Sequence, residues 1–382
     1  SSKKKSKNKS KKKSKKLSSS NKTVIKSPQL KPYIFNSMFR NYILNNNNVN
    51  IKLNYNELGN IFYNSPPAKY YQQLSNSLVK NNTKDDNNLI LYMNFKSHNI
   101  LDKSNRTKLY NIITENNPNI ICLSEALLPI SIENNKEINS KNIKLTNIND
   151  IKNDTIISAY EGAPKFIQKK KETTGILKDK KIWKKFFIEN GYNYILFANP
   201  TECPWGTNWG NCIITKTKPD KYDILQMGSY GKTAFDVPES RNMVVVKIGK
   251  EYICTTHLDN NNTNSRINQT KEILKYIKKL KLKNNEKITL TGDLNSINID
   301  SYSLEELKIL KELNNNKQDL EFDSVDMINK SNLLGKRPIN TGQKYESLFQ
   351  KCVSHVYSTK YKNNVMLLTD ATDLDHQPVF IW

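Results

Sequence analysis

Three carboxylates at the ends of apolar runs are the side chains of this sequence best suited to binding a cation. Glu125 follows IICLS, Asp293 follows ITLTG with Asn295 two residues later, and Asp375 directly precedes His376. A carboxylate at a buried strand end is costly unless it is paired or binds a cation. Oxygen ligands from Asp, Glu and Asn suit Mg²⁺, with Mn²⁺ as an alternative. We therefore predict a divalent-metal site.

Histidines are scarce, and three of the four lie beside or inside apolar runs. These three are His257 in YICTTHLD, His355 in CVSHVYS and His376 in LDHQPVFIW; the fourth is His98. For any single one the alternative is a satisfied core histidine. Together with the carboxylates they fit hydrolysis of a phosphate ester, because a carboxylate near a histidine can deprotonate water and a second histidine can donate a hydrogen bond to the developing charge. No G-x-S-x-G, P-loop or G-x-G-x-x-G motif offers a competing chemistry.

The elements that position these residues alternate between strand and helix from residue 88 onward. LILYMNF predicts a strand, NRTKLYNIITENN an amphipathic helix and NIICLSEAL a buried strand. After residues 130–178 the alternation of helix and strand resumes with the helix KKIWKKFFIEN, a turn at Gly191 and the strand YNYILFA. Further strands are predicted at GNCIITK, MVVVKIG, YICTTHL, KITLTGDL, SHVYST, VMLLTD and HQPVFIW, with the helix RINQTKEILKYIKKLKL among them. The pattern predicts a layered α/β domain.

The rest of the chain divides by composition. Residues 1–30 are a Lys/Ser/Asn tail that we expect to be disordered. Residues 31–87 are expected to form an extension that packs on the main domain, residues 88–382. Residues 130–178 are rich in Asn and Lys and predict a surface insertion in that domain.

The charge of the chain favours a polyanionic partner. Its net charge is +24, and because ten lysines lie within residues 3–16, the remainder still carries about +14. We expect nucleic acid, DNA before RNA, and less readily an anionic membrane surface; a solubilising tail is the alternative. The five cysteines form no C-x-x-C pair, and no apolar stretch reaches the ~18 residues of a membrane span. We therefore expect free thiols in a reducing, intracellular compartment. The basic tail could direct the chain to the nucleus or another site rich in nucleic acid.

Seven short motifs occur in the order found in the endonuclease/exonuclease/phosphatase superfamily, which includes deoxyribonuclease-I-like nucleases, abasic-site endonucleases, inositol-polyphosphate 5-phosphatases and neutral sphingomyelinases. The segments that resemble it are ILYMNF with Asn94, ICLSEA with Glu125, WGNCIITK with Asn211 and with Thr215 where serine is usual, SRNMVVVKI with Arg241, YICTTHLD with His257, TLTGDLNS with Asp293 and Asn295, and DLDHQPV with Asp375 and His376. Arg266 and Gln269 fit the helix that follows His257.

The resemblance implies a four-layer α/β/β/α sandwich with two central mixed β-sheets, and it implies roles for the residues of the motifs. Glu125, Asn94 and Asp375 would hold Mg²⁺, and Asp293 would align or activate the attacking water. Asn295 would position the phosphate, while His257 and His376 would stabilise its transition state. Asn211, Arg241 and Trp209 would bind substrate. Trp209 and Trp205 could stack on bases or pack under a loop.

Two departures from the superfamily pattern concern the support of His376. Ser354 stands where an acidic residue is usual, and Asp370, Asp373 or His355 would have to replace it; Leu374 precedes Asp375 where serine is usual. Three functions stay open. They are a nuclease or DNA-end-processing phosphodiesterase, a phosphatase or phospholipase C-like enzyme acting on inositol phosphates or sphingomyelin, and an inactive nucleic-acid-binding protein.

Overall fold

The computed structural model describes residues 88–95, 103–128, 144–151, 165, 180–206, 208–229, 238–260, 262–296, 323–331, 333–334, 339–341, 354–359, 365–367 and 378–381. The predicted tail and the predicted 31–87 extension lie outside these residues. So do His98, Asp370, Asp373, Leu374, Asp375 and His376.

Among the described residues, one sheet has seven strands in the order β12-β13-β1-β2-β5-β4-β3. The ranges are β1 (Ile90–Asn94), β2 (Ile120–Leu127), β3 (Thr146–Asn147), β4 (Tyr194–Ala198), β5 (Trp209–Thr215), β12 (Val365–Leu367) and β13 (Val379–Ile381). β1 and β2 are parallel, and the other pairs are antiparallel. This sheet is therefore mixed.

The second sheet has six described strands in the order β10-β11-β9-β8-β7-β6. The ranges are β6 (Lys221–Met227), β7 (Arg241–Ile248), β8 (Glu251–His257), β9 (Lys287–Asp293), β10 (Ile339–Thr341) and β11 (Ser354–Ser358). β8 and β9 are parallel, and the other pairs are antiparallel. Both sheets thus contain one parallel pair, and each pair carries predicted site residues at its carboxyl ends.

Helices cover the outer faces of the two sheets. They are α1 (Lys103–Asn116), α2 (Lys180–Glu189), α3 (Thr263–Leu280) and α4 (Asp323–Ser331). Ile113 and Phe187 of α1 and α2 pack on the seven-stranded sheet, whereas Ile273 and Ile328 of α3 and α4 pack on the six-stranded one. In the described part of the chain, no helix is long and apolar enough to cross a membrane.

The faces between the sheets form a third apolar core, which completes the four layers. Side chains of β1 alternate, so that Leu91 and Met93 face the helices while Ile90 and Tyr92 face the other sheet. Val244 meets them from the six-stranded sheet. Because both faces of these strands are buried, they appear in the sequence as continuous apolar runs. The predicted α/β/β/α sandwich with two mixed sheets is confirmed.

Local signals set the ends of the helices. Asn262 caps α3 by accepting the N–H of Ser265 at 2.9 Å. Gly191 follows α2 with φ +82°, a conformation that favours glycine after a helix. This confirms the predicted turn.

Residues 144–151 differ from the surface insertion that we expected for 130–178. Thr146 and Asn147 form an edge strand paired with β4, and Ile148 is buried in the core below α2. This portion is integral to the sheet. The strand β6 was also not predicted, because KYDILQM lacks the apolar run of the buried strands; most of its residues are half-buried or exposed at the edge of the sheet.

Candidate active site

Four predicted site residues lie at the ends of parallel strands. Asn94 ends β1, Glu125 lies near the end of β2, and His257 and Asp293 end β8 and β9, where they are register partners. The carboxyl ends of parallel neighbours lie at the same edge of a sheet, which brings each pair together. Ligand atoms of Glu125, His257 and Asp293 all lie within 4.8 Å of one another. The two sheets therefore contribute to one site.

A hydrogen bond between the sheets lies next to this site. Ser124, the neighbour of Glu125, donates its hydroxyl to the carbonyl of Thr256 at 3.0 Å. Within the seven-stranded sheet, the Tyr92 hydroxyl lies 3.4 Å from the Ser124 hydroxyl. The Ser124–Thr256 contact holds the two pairs of strand ends together, because breaking it would leave a buried polar group unsatisfied.

The Asn94 side chain connects the two carboxylates. Its Nδ2 donates to Glu125 Oε1 at 3.1 Å and to Asp293 Oδ2 at 3.0 Å. An amide nitrogen that donates two hydrogen bonds is not a metal ligand, so in this arrangement Asn94 positions the carboxylates and does not bind Mg²⁺ through this atom. Two carboxylates held this close are mutually repulsive, and a divalent cation between them fits the donor set.

The backbone of Glu125 has an uncommon conformation. Its φ is +51°, and the pairing of β2 with β5 shifts between Leu123 and Ala126. Such a bulge re-aims a side chain, and a positive φ at a residue with a Cβ costs about 1–3 kcal/mol. The result is a carboxylate that keeps 24% of its side-chain surface exposed at the edge of an otherwise buried strand. Strain of this kind is found at functional sites.

The G-D-x-N segment forms a turn in which Asp293 and Asn295 are hydrogen-bonded to each other. Asp293 Oδ1 accepts the backbone N–H of Asn295 at 2.9 Å, which leaves Oδ2 facing Asn94. Asn295 has φ +47°, which asparagine tolerates, and its Nδ2 lies 2.9 Å from the Leu258 carbonyl and 3.1 Å from His257 Nε2. The turn thus places the Asn295 amide against the imidazole.

His257 is enclosed on two sides. Its Nε2 lies 3.7 Å from Glu125 Oε1 and 4.0 Å from Asp293 Oδ2. On the other side of the ring, Nδ1 lies 3.3 Å from Nη1 of Arg241. The Trp209 ring lies 6.2 Å from the imidazole, centroid to centroid. The imidazole is therefore held between the carboxylates and a buried guanidinium.

The three residues expected to bind substrate are buried. The Trp209 ring is 4% exposed, packs beside Trp205 and lies 5.9 Å from the Arg241 guanidinium carbon, so it offers no free face to a base. Asn211 donates to the backbone and side-chain oxygens of Asn242 at 3.1 and 2.9 Å, which joins the sheets. The substrate-binding roles of Asn211, Arg241 and Trp209 stay predictions, and in this structure all three side chains are buried and contact other residues of the protein.

Ser354 occupies the position where an acidic residue is usual. It is the register partner of Asp293, is buried, and forms a side-chain hydrogen bond with Tyr92. Burial raises the pKa of Tyr92, and the charge of Asp293 adds to the rise. Tyr92 is therefore a protonated phenol. Ser354 hydrogen-bonds to this neutral group, and the superfamily pattern has a carboxylate at the position of Ser354.

Two groups that sequence reasoning missed stabilise the surroundings of His257. Glu239 pairs with Arg241 at 2.9 Å, and burial raises the pKa of its carboxyl while the guanidinium opposes the rise. The second is the backbone of Asp259, which accepts from Arg266 Nη1 and donates to Gln269 Oε1, each at 3.0 Å. Arg266 and Gln269 thus fix the loop that follows His257. The available signal for Glu239 was an acidic residue two positions before Arg241.

Free cysteines are present, as predicted. Cys122, Cys212 and Cys254 are buried, and Cys203 is partly buried. Burial raises the pKa of all four thiols, that of Cys203 to about 12. Cys352 lies outside the described residues.

Gly292, in the G-D-x-N motif, allows a close approach between strands. A Cβ added there would lie 2.4 Å from the Thr256 carbonyl oxygen, a backbone atom of the neighbouring strand. We expect Gly292→Ala to destabilise the fold by about 1–3 kcal/mol, as overpacking does, and to displace Asp293. Urea unfolding measures this. Gly249→Asn is the control: a Cβ there has nothing within 4 Å, and asparagine is one of the few residues that adopt its φ of +58°, so the loss of stability should be limited to backbone strain and be smaller than in Gly292→Ala. Equal stability of the two variants would contradict the packing argument.

No protein-family model and no curated protein matches the sequence. Solved structures are similar to it. One is the mannosyl-6-phosphatase Bt3783 of Bacteroides thetaiotaomicron VPI-5482, at 11% identity and TM-score 0.44, covering 78% of this chain and 99% of that one. An AP endonuclease from Archaeoglobus fulgidus has 13% identity and TM-score 0.40, and an endonuclease/exonuclease/phosphatase family protein from Leptotrichia buccalis C-1013-b has 15% and 0.42; both alignments cover 78% of this chain and 99% of the other. Members of the superfamily that the sequence resembles are thus among the structures similar to this chain.

Proposed function

We propose that this chain is a divalent-metal-dependent phosphodiesterase acting on nucleic acid, DNA before RNA. One observation carries the proposal. The Asn94 amide holds the carboxylates of Glu125 and Asp293 together, 3.1 and 3.0 Å from its nitrogen, at the edge where His257 and Asn295 also converge. Carboxylates for a hard cation beside hydrogen-bond donors for an anion are the requirements of phosphoester hydrolysis.

Glu125 would hold the metal, which is Mg²⁺ or alternatively Mn²⁺, with the Asp293 carboxylate beside it. Asp375 is proposed as a further ligand on the basis of its motif alone. When bound, the cation would polarise a phosphoryl oxygen and stabilise the leaving oxyanion.

The protein groups supply the remaining interactions. Asp293 Oδ2 faces the site while Oδ1 is held by the turn, so this oxygen is placed to accept a proton from the attacking water. The N–H groups of Asn295 and His257 would bind the phosphate oxygens on which charge develops. His376 is proposed as a second donor from its motif.

Charge supports nucleic acid as the substrate. The chain carries +24, and affinity for nucleic acid comes largely from phosphate contacts. The lysines at the end of α3, Lys278 and Lys279, lie near the start of β9, and Asp293 lies at the other end of that strand. These two lysines are therefore solvated and remote from the site. The choice of nucleic acid as the substrate rests on the charge of the whole chain.

A substrate panel tests the proposal. The full chain with Mg²⁺ or Mn²⁺ is incubated with double-stranded, single-stranded, abasic and 5′-tyrosyl DNA, poly(A), inositol phosphates and sphingomyelin. We expect cleavage of at least one DNA substrate. Cleavage of inositol phosphates or sphingomyelin with none of nucleic acid would replace the substrate with that of the alternative enzyme. Binding of DNA without cleavage of any phosphoester would leave a nucleic-acid-binding protein.

A further inference from the structure

Lysine-rich turns lie together at the amino ends of β8 and β9, the end of the six-stranded sheet that does not carry the proposed active site. Lys221 is the register partner of Lys247, and Glu251 is that of Lys287. The Lys287 N–H also donates to the Lys250 carbonyl at 2.9 Å. We refer to the three segments joined by these contacts, residues 216–221, 247–251 and 278–287, as the basic end.

The basic end carries a large share of the positive charge of the chain. Its ten lysines and three carboxylates give +7, whereas the whole chain outside residues 3–16 carries about +14. About half of this charge therefore lies in three neighbouring segments. A dense group of lysines on one part of a surface is the electrostatic pattern expected of a site for a polyanion.

The carboxylates of the basic end are already engaged. Glu251 pairs with Lys287 at 2.9 Å, Glu286 pairs with Lys247, and Asp220 accepts a backbone N–H of the β7–β8 turn at 2.7 Å. The other lysines are mostly exposed and pair with no carboxylate of the described residues. Two of these exposed lysines, Lys278 and Lys279, end α3, and five lie in or beside the turns: Lys218, Lys221, Lys250, Lys281 and Lys283.

The basic end is too far from the proposed active site to act on the phosphate bound there. Glu251 and Lys287 begin β8 and β9, and His257 and Asp293 end them. A rise of about 3.3 Å per residue over these strands separates the two ends by about 20 Å. Exposed charges are screened over about 8 Å at physiological salt. The exposed lysines would therefore bind a different part of a polyanion.

The site itself has the opposite balance of charge. The described side chains that form it include the carboxylates of Glu125, Asp293 and Glu239, with one guanidinium, that of Arg241. These carboxylates repel a phosphate until a cation is bound. Affinity for a polyanion that does not depend on the metal is thus better supplied by the basic end.

Nucleic acid fits the basic end better than a membrane does. Lysine is a flexible point charge that contacts backbone phosphates without reading the bases. Attachment to a bilayer needs apolar surface as well as charge. Among the described residues, Tyr222 is the only exposed large hydrophobic one, at 40%. A polynucleotide also continues beyond the bond that is cleaved, so it has further phosphates to offer.

We propose that the basic end is a second nucleic-acid-binding surface, which contacts backbone phosphates about 20 Å from the site and raises affinity without taking part in the chemistry. The choice of nucleic acid as the partner rests on the proposed function. The surface itself is tested by binding alone.

Binding of DNA in chelator measures this surface without cleavage. A fluorescent DNA duplex longer than the domain is titrated with the full chain and with the triple variant Lys250→Gln/Lys281→Gln/Lys283→Gln. We expect the variant to bind about 10- to 100-fold more weakly, and the slope of log affinity against log salt concentration to become less steep by about 1 to 3, because up to three phosphate contacts are lost.

The matched control is Lys185→Gln/Lys271→Gln/Lys330→Gln. These three exposed lysines lie on α2, α3 and α4, outside the basic end, and their replacement removes the same charge. The control should bind DNA as the unchanged protein does, and circular dichroism establishes that both variants are folded. Equal losses in the two variants, or no loss in the first, would overturn the proposal.

Acetylation of lysines in the unchanged full chain locates the surface without any substitution. Mass spectrometry compares the reactivity of each lysine with and without the DNA duplex. We expect DNA to protect Lys250, Lys281 and Lys283 and to leave Lys185 and Lys330 reactive. Protection that is absent from the basic end would contradict the proposal, even if the triple variant did not fold.

The outcomes separate this surface from the proposed function. In a chain that hydrolyses DNA, the basic-end variant should raise KM by about 10- to 100-fold and leave kcat unchanged. DNA binding that depends on these lysines, in a chain that cleaves no phosphoester, would support the surface and contradict the proposed function. Cleavage of DNA with an affinity independent of these lysines would contradict the surface alone. Loss of binding to phosphatidylserine vesicles, with unchanged affinity for DNA, would assign the surface to a membrane and overturn the proposal.

Discussion

Replacing Asp293 with asparagine is expected to lower kcat for phosphodiester hydrolysis by about 10²- to 10⁴-fold, the contribution typical of a positioned general base. The substitution keeps the size of the side chain and the oxygen that accepts the N–H of Asn295 at 2.9 Å. It removes the charge and the proton acceptor at Oδ2, which faces Asn94 and Glu125. Initial rates on the cleaved DNA substrate at saturating Mg²⁺ measure the effect.

The matched control is Asp326→Asn. Asp326 pairs with Lys330 on the exposed face of α4, 2.6 Å away, and touches none of the site residues described above. Surface pairs of this kind contribute little to stability, so rates should equal those of the unchanged protein. An Asp293→Asn protein that retains hydrolysis within a few-fold of the control would remove Asp293 from the mechanism.

Replacing Glu125 with glutamine is expected to weaken binding of the divalent cation by at least about 100-fold. Substitution of a residue that only supports a metal ligand lowers metal affinity by up to about 100-fold, so loss of a ligand should cost at least as much. Glutamine keeps an oxygen for the Asn94 amide, now 3.1 Å from Oε1, but it removes the negative charge. A hard cation depends on such charge. Titration with Mn²⁺ followed by electron paramagnetic resonance measures affinity without requiring a substrate.

Glu189→Gln serves as the control for this change. Glu189 is an exposed partner of Lys185 at the end of α2, so its loss removes one negative charge from the surface and none from the site. Mn²⁺ affinity should be unchanged. If Glu125→Gln bound Mn²⁺ as tightly as Glu189→Gln, the metal would not lie at the carboxylates joined by Asn94.

The fold was accessible from the sequence because its strands carry strong signals. Buried strands such as β2 and β8 contain the apolar runs IICL and YIC, and Glu125 and His257 lie towards their carboxyl ends. The polar residue at each end marks where the strand reaches the edge of the sheet. The edge strands β3 and β6 were missed because they lack such apolar runs. β3 has only two residues, and β6 exposes much of its surface.

The chemical partners of the site residues could not be predicted, since they depend on contacts between distant segments. Asn94 and Asp293 are 199 residues apart, and only the packing of two sheets brings the amide to the carboxylate. The positive φ of Glu125 follows from a bulge against β5, which no local pattern indicates. For Trp209 the sequence left stacking on bases and packing under a loop both open, because its burial and its contact with the Trp205 ring are tertiary properties.

We propose that the carboxylates of Glu125 and Asp293 form part of a metal-dependent hydrolytic site. The most direct measurement is the rate of DNA cleavage by the metal-stripped chain as Mg²⁺ is added, for the unchanged protein and for Glu125→Gln. Cleavage should be absent in chelator, should rise to saturation with Mg²⁺, and should need at least about 100-fold more Mg²⁺ in the variant. Cleavage that persists in chelator, or the same Mg²⁺ dependence in both proteins, would contradict the claim.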